Sequence, residues 1–401
     1  MKLFSPALVA AIFVFPVAAQ ETPKPVTVPI TLDHNRIIID VYLPLPDGNT
    51  KRVRALFDLG NPRVQITESL AKKLGLPISG EPEPPSNPRW HVVAAPSEIL
   101  IGTMRLPLTG IKDAEALINV ESIEPGTSAE INLPSTLIRN YDVVLDYPNR
   151  QLTIGPPRTI QFEGSAVDWS HGLPITIAGK RYTFSLNLGE SVGFVSPDLM
   201  SAWTKAHPNW PHMSSALGAA NSGRSEPGGE VLLVPRISLG PVTLIGALFR
   251  SQRTEMYESG YVGPDALLNY RVGLDFVHSR LYLKQLSTYQ APGMDVIGLI
   301  LRAEPDERYT ILGVADFNGK PAVPDVRAGD ALVQIDGAPA TGATLGQVWS
   351  LLGGSPGQTR LLTLERAGKR FTVVATVHRF LAQQSNHRSP AKIVQKELKK
   401  K

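Results

Sequence analysis

Leu56-Phe57-Asp58-Leu59-Gly60-Asn61-Pro62-Arg63-Val64-Gln65-Ile66-Thr67-Glu68-Ser69-Leu70 and Ser185-Leu186-Asn187-Leu188-Gly189-Glu190-Ser191-Val192-Gly193-Phe194-Val195-Ser196-Pro197-Asp198-Leu199 read as two copies of one segment. Asp58-Leu59-Gly60 lies over Asn187-Leu188-Gly189, 129 residues on. Val144-Leu145-Asp146-Tyr147 lies over Gly273-Leu274-Asp275-Phe276 at the same offset of 129. One offset shared by two separate motifs marks a duplicated unit rather than a chance tripeptide. The copies differ where it matters chemically, because one half has an aspartate and the other an asparagine.

Working outward, the flanking chain alternates in short runs. Val26–Leu32, Arg36–Tyr42 and Val53–Asp58 read as strands. Thr67–Leu76 reads as a short helix with an N-cap at its start and Gly75 at its end. The stretch 77–97 is Pro-rich and reads as a loop, and Val143–Ile154 reads as a hairpin turning at Tyr147-Pro148-Asn149-Arg150. The second half repeats this order, with a helix beginning at Ser196-Pro197, a Gly/Ser/Pro-rich loop at 206–229 and a closing hairpin at Gly273–Leu283. With 34 glycines and 35 prolines among 401 residues, the chain favours turn-rich β structure over long helices. The expected fold is all-β, in two related lobes, 26–160 and 161–290.

The paired motifs resemble the aspartic proteases of the pepsin and retropepsin type, in which a strand delivers Asp-Thr-Gly or Asp-Ser-Gly to a tight turn. The resemblance covers roughly residues 26–285 and implies two β lobes about a pseudo-twofold axis, with an extended peptide held in the interlobe cleft. It places Asp58 and Asn187 at the two catalytic positions. That chemistry needs two carboxylates sharing a proton, one activating water while the other protonates the substrate carbonyl. An asparagine amide does not ionise. The hydroxyl-bearing residue after each aspartate is replaced by Leu59 and Leu188. Removing one member of a cooperating unit removes almost all of its contribution, so a degenerate centre is expected. Asp58 then serves as a turn-forming carboxylate beside Gly60, and Asp146 and Asp275 as hairpin-turn residues. Glu190 and Asp198 are the carboxylates that could substitute, though both follow the turn.

A third unit, 291–383, resembles a PDZ domain. Gly298-Leu299-Ile300-Leu301 matches the loop whose backbone amides hold a peptide's terminal carboxylate. Ala328-Gly329-Asp330 through Ile335-Asp336-Gly337, helix Thr344–Leu352, Gly354-Ser355-Pro356-Gly357 and Glu365-Arg366-Ala367-Gly368-Lys369 complete the pattern. The stretch Lys320–Val326 is shorter than that pattern and lacks its glycine. Such a unit adds a peptide as an extra strand, so the implied partner is a polypeptide or a protein C-terminus. A purely structural β unit docked on the lobes is the plain alternative.

Residues 1–19 have the form of a secretory signal: Lys2, an apolar run from Leu8 to Phe15, and Val17-Ala18-Ala19 before Gln20. No segment is long and apolar enough to span a bilayer, so an exported periplasmic or extracellular protein is expected. The chain has no cysteine, which excludes disulfides, thiolate nucleophiles and cysteine-based zinc sites. A net charge of +4 is a weak excess, partly carried by a basic tail, 384–401. That tail reads as a solvated terminus, and no nucleic-acid partner is expected. Gly189-Glu190-Ser191-Val192-Gly193 matches the nucleophile-elbow pattern, but that motif belongs in an alternating βα chain. His207 and His212 lack co-ligands at metal-binding spacing. No metal or cofactor is expected. Three functions follow: a degenerate protease binding extended polypeptide, an acid endopeptidase with an atypical centre around Asp58, and a scaffold using the 298–301 groove alone.

Overall fold

The computed structural model describes residues 24–82, 90–111, 116–119, 123, 126–214, 230–252, 260–288, 294–304 and 306–381. The expected signal segment, the basic tail and the stretches 83–89 and 215–229 lie outside the described residues.

In each half the segment that carries the repeated tripeptide is threaded the same way. Thr50–Phe57 pairs in parallel with Ile131–Leu133, which pairs antiparallel with Gln65–Thr67, itself parallel to Ala116–Asn119. Lys180–Leu186 pairs in parallel with Gly260–Val262, which pairs antiparallel with Gly193–Val195, itself parallel to Val242–Ser251. A short strand is thus inserted between the two arms of each turn, so that the turn arches over its end. The anchoring bonds repeat too: Asp58 N donates to Leu133 O at 3.2 Å, and Asn187 N to Val262 O at 3.1 Å. Leu133 and Val262 are again 129 residues apart.

The halves join through one sheet. Asp142–Asp146 pairs antiparallel with Tyr270–Asp275, with Val144 opposite Gly273. These two residues are repeat equivalents of one another, so the pseudo-twofold axis passes between them. Flanking it in the sheet are Gln151–Gly155 and Val26–Asp33 on one side and Arg280–Gln285 and Ser165–Asp168 on the other. Both hairpin turns close alike, with Asn149 N donating to Asp146 Oδ1 and His278 N to Asp275 Oδ1, each at 3.0 Å. Asp146 and Asp275 are turn residues, as the sequence suggested. A single buried core, from Ile30 and Phe57 through Leu145 to Phe249 and Leu274, runs across both lobes. At about 25 cal/mol per Å2 of apolar surface, such a shared core ties the lobes into one body.

The stretch expected as a loop at 77–97 carries strands at both ends, Ile78–Pro82 and Trp90–Val93, which pair and extend the lobe sheet. Proline density hid them: Pro82 closes an edge strand, where a missing donor is tolerated.

The third unit has its own core, including Leu299, Tyr309, Leu332, Val348 and Leu364. Its sheet runs Leu299–Ala303, Tyr309–Val314, Ala331–Ile335, Thr359–Arg366, Lys369–Thr376, leaving Leu299–Ala303 at an edge. Helix Leu345–Leu352 is closed by a capping box at Thr344 and Gln347. Buried Asp330 takes a two-pronged grip from Arg366, Nε to Oδ1 at 2.6 Å and Nη2 to Oδ2 at 2.7 Å, which holds its pKa below the usual carboxylate range.

The unit docks on both lobes. Val192, Met213, Val231, Leu233 and Leu248 of the second lobe share a buried cluster with Met294, Val296, Ala315, Phe380 and Leu381. The first lobe contributes the hairpin turn Asp33-His34-Asn35-Arg36, whose two central residues have φ of 50° and 69°. This is the left-handed pair that a tight two-residue hairpin needs. Arg36 is fully buried, donating to Asp33 Oδ2 at 2.9 Å and to Gly126 O at 3.2 Å. Asp33 Oδ1 in turn accepts from Thr344 Oγ1 and Gly346 N, each at 2.7 Å. Breaking a buried ion pair from one side typically costs about 3–5 kcal/mol. Arg36→Ala should therefore lower stability by roughly that amount, read as a lower urea midpoint. Arg36→Met paired with Asp33→Asn, which leaves no lone buried charge, should lose clearly less.

Candidate functional site

The two arching turns meet at the pseudo-twofold axis. Each turn is closed by its own side chain: Gly60 N donates to Asp58 Oδ1 at 2.7 Å, and Gly189 N to Asn187 Oδ1 at 3.0 Å. Each glycine faces the other lobe. A Cβ added to Gly60 would lie 2.8 Å from Asn187 Nδ2 and 2.9 Å from its Oδ1. One added to Gly189 would run into the carboxylate of Asp58. Asp58 and Asn187 are therefore packed against each other's turns, where the sequence repeat places them. An acid faces an amide.

The residues that follow are apolar and packed. Leu188 is fully buried in the core shared by the lobes, and half-buried Leu59 packs against the same cluster.

Burial raises the Asp58 pKa to about 6, and the nearby charge of Glu190 pushes the same way, while the amides of Gly60 and Asn61 pull it down. Glu190 is thus the carboxylate nearest in effect to Asp58. Its own charge is committed, since Arg250 Nη2 lies 2.9 Å from Glu190 Oε2 with both side chains largely buried. Asp198, the other candidate substitute, is exposed in the first turn of helix Pro197–Ala206, where it complements the helix dipole. Ser191, of the nucleophile-elbow pattern, is buried at the start of an all-β segment, and its carbonyl accepts from Asn35 Nδ2 at 3.0 Å. His34 on the hairpin turn is pushed down to about 3 by burial and by the charges of Arg36 and Arg250, so it is neutral. That places the hairpin turn beside the Glu190–Arg250 pair.

Asp265 was not singled out in the sequence. It lies in the short 3-10 helix Pro264–Leu267, repeat equivalent of Ser135–Ile138, and its Oδ2 accepts from Leu248 N at 2.7 Å. Burial raises its pKa to about 7 against the pull of backbone amides of Leu248, Gly193 and Ala266. The signal was available as a Gly-Pro-Asp cap sequence, but Thr136 fills the equivalent place in the first half, so the repeat pointed away from an acid.

In the third unit Gly298 has φ of +80°, and a Cβ there would strike the Phe380 ring. Leu299, Ile300 and Leu301 are all at most 4% exposed. They begin the edge strand itself rather than forming a loop ahead of it. His207 stacks on Trp210 with ring centroids 4.0 Å apart, and His212 contacts the Trp210 carbonyl. Among the described residues no three His, Asp or Glu side chains are grouped to hold a metal ion, and no helix is long and apolar enough to cross a membrane.

Two measurements test the site. Gly60→Ala and Gly189→Ala each force a methyl group into the opposite turn, so each should destabilise by about 1–3 kcal/mol, with the urea midpoint falling. The raised Asp58 pKa also has a definite linkage sign. Between its unfolded value of about 4 and about 6, the folded state binds more protons, so stability is lost as pH rises through that window. Asp58→Asn removes this penalty, and its stability relative to the natural chain should increase from pH 4 to pH 6 and level off above. A difference that stays flat with pH overturns the assignment.

No family model matches the chain, and no curated protein matches it. Among solved structures it is similar to the aspartic proteinase from Irpex lacteus, with a TM-score of 0.39 and 12% identity, over 66% of this chain and 98% of that one.

Proposed function

We propose that this is an exported, aspartic-protease-like protein that binds extended polypeptide without cleaving it. The observation that carries the reading is the acid facing an amide: Asp58 and Asn187 pack into each other's turns, and each uses one side-chain oxygen to close its own turn. A shared proton needs two carboxyl groups, and Asn187 offers none. The third unit supplies a second place for an extended chain. Leu299–Ala303 is an edge strand beside helix Leu345–Leu352, and an edge strand recruits peptide through main-chain hydrogen bonds. We assign Gly298, Leu299, Ile300 and Leu301 to the carboxylate end of that groove, on the strength of the PDZ resemblance. Export to the periplasm or exterior rests on the signal-like residues 1–19.

One observation favours a second reading, an acid endopeptidase: Glu190 lies close enough to perturb Asp58. Against it stands the Arg250 partner, which engages Glu190 Oε2 at 2.9 Å. Denatured casein incubated from pH 3 to pH 6 decides between them. The binding reading expects intact casein and unchanged mass spectra. Cleavage that disappears in Asp58→Asn, or in Glu190→Gln, would establish the endopeptidase and sink the binding reading. In the same assay Asn187→Asp, with Leu59→Thr, is expected to create acid-dependent cleavage.

A further inference from the structure

We infer that the third unit's peptide groove is plugged by the first lobe of the same chain, so that it admits a long peptide only when helix Leu345–Leu352 undocks. The inference rests on the peptide-binding reading of Leu299–Ala303. The strand and the helix flank one groove and run in opposite senses. At one end, Ile297 N donates to Leu352 O at 3.2 Å, joining the start of the strand to the end of the helix. At the other end, Ala303 finishes the strand and Leu345 starts the helix. A peptide whose carboxylate lies near Gly298 must leave between Ala303 and Leu345.

Gly126 of the first lobe occupies that exit. A Cβ built on it would lie 2.9 Å from Ala303 Cβ, and 3.3 Å from both Leu345 Cβ and Tyr309 Oη. Its carbonyl accepts from Leu345 N at 2.7 Å, the first donor of the helix. Asp33 takes the second, Gly346 N, and the Thr344 hydroxyl. The Trp349 and His34 rings meet one turn further along, with centroids 4.8 Å apart. Helix donors that water or a ligand could take are instead satisfied by the first lobe. Five strand residues at about 3.3 Å each leave room for a ligand of about four or five residues while this contact holds.

Two glycines show that the contact is built into the sequence. Gly126 leaves no space for a side chain among Ala303, Leu345 and Tyr309. Gly346 lies within the helix, where glycine is less favourable than alanine. A Cβ there would collide with the Asp33 carboxylate and lie 2.7 Å from His34 N. A helix freed from the lobe would be more stable with alanine at this position; the docked one excludes it.

That glycine gives a clean release variant. Gly346→Ala favours the helix and wedges it off the hairpin turn, without touching the strand Leu299–Ala303. The absence of native cysteine allows the converse lock, Gly126→Cys with Ala303→Cys, whose 2.9 Å Cβ separation has to widen only slightly to reach disulfide geometry. The full chain is titrated by fluorescence anisotropy with labelled decapeptides ending in Val, Leu, Phe or Ala, as free carboxylates and as amides. The release variant should bind a free-carboxylate decapeptide at least tenfold more tightly than the natural chain. The oxidised lock should bind none, and dithiothreitol should restore binding at least as tight as that of the natural chain, because an unbridged side chain at position 126 itself crowds the contact. Equal binding by the oxidised and reduced lock, or by Gly346→Ala and the natural chain, overturns the plug and leaves the peptide reading intact. Absence of binding in every form, the release variant included, overturns both.

Discussion

The close approach of two backbone turns at Gly60 and Gly189 is the constraint on which the rest of this molecule depends. Neither turn has room for a methyl group, because each glycine lies under the polar side chain of the other half. The turns must therefore be superimposable, and each must present a side chain of one size and shape. Asp and Asn meet that demand equally, since both accept from an amide two residues on. Shape is duplicated here while charge is not.

The electrostatics follow from the same packing. A carboxylate enclosed between two lobes loses water on most sides, and an amide facing it brings no full positive charge. Glu190 adds a negative field, so the neutral form of Asp58 gains. Arg250, which would otherwise oppose this, is neutralised by Glu190 itself. Further out, the hairpin turn from Asp33 to Arg36 ties this region to the third unit. It touches Ser191 of the second lobe through Asn35 and the helix at Gly346 through Asp33. Because Arg36 is fully buried, Asp33 is held by a charge as well as by hydrogen bonds. A few residues of one turn thus hold three parts of the chain in register.

Much of this was legible in the sequence because the repeat is two-fold and local. The offset of 129 residues located both turns, both closing hairpins and the helix caps at Thr67 and Ser196, which accept from Leu70 N and Leu199 N. Such features depend on neighbouring residues, whose chemistry is visible in a linear chain. The inserted strands Ile131–Leu133 and Gly260–Val262 escaped notice. They are three residues long, too short for an alternation to register, and they exist only because the arms of each turn provide partners on both sides. Asp265 escaped because its carboxylate is held by the amides of Leu248 and Gly193, distant in the chain. The docking of the third unit was invisible for a related reason. A glycine in the first turn of a helix reads as a weak helix position until the carboxylate of Asp33, more than three hundred residues away, is brought beside it.

Why an acid remains at position 58 at all can be argued from these contacts. If turn closure were the whole demand, asparagine would satisfy it, as Asn187 does, and without an ionisable group in a partly dry site. An ionised Asp58 costs stability relative to its neutral form, and the amides of Gly60 and Asn61 recover only part of that cost. The acid also differs from the amide in hydrogen bonding: an ionised Asp58 has a second oxygen that only accepts, where Asn187 carries an NH2 group that donates. The pair is therefore symmetrical in shape across the axis and unsymmetrical in hydrogen bonding.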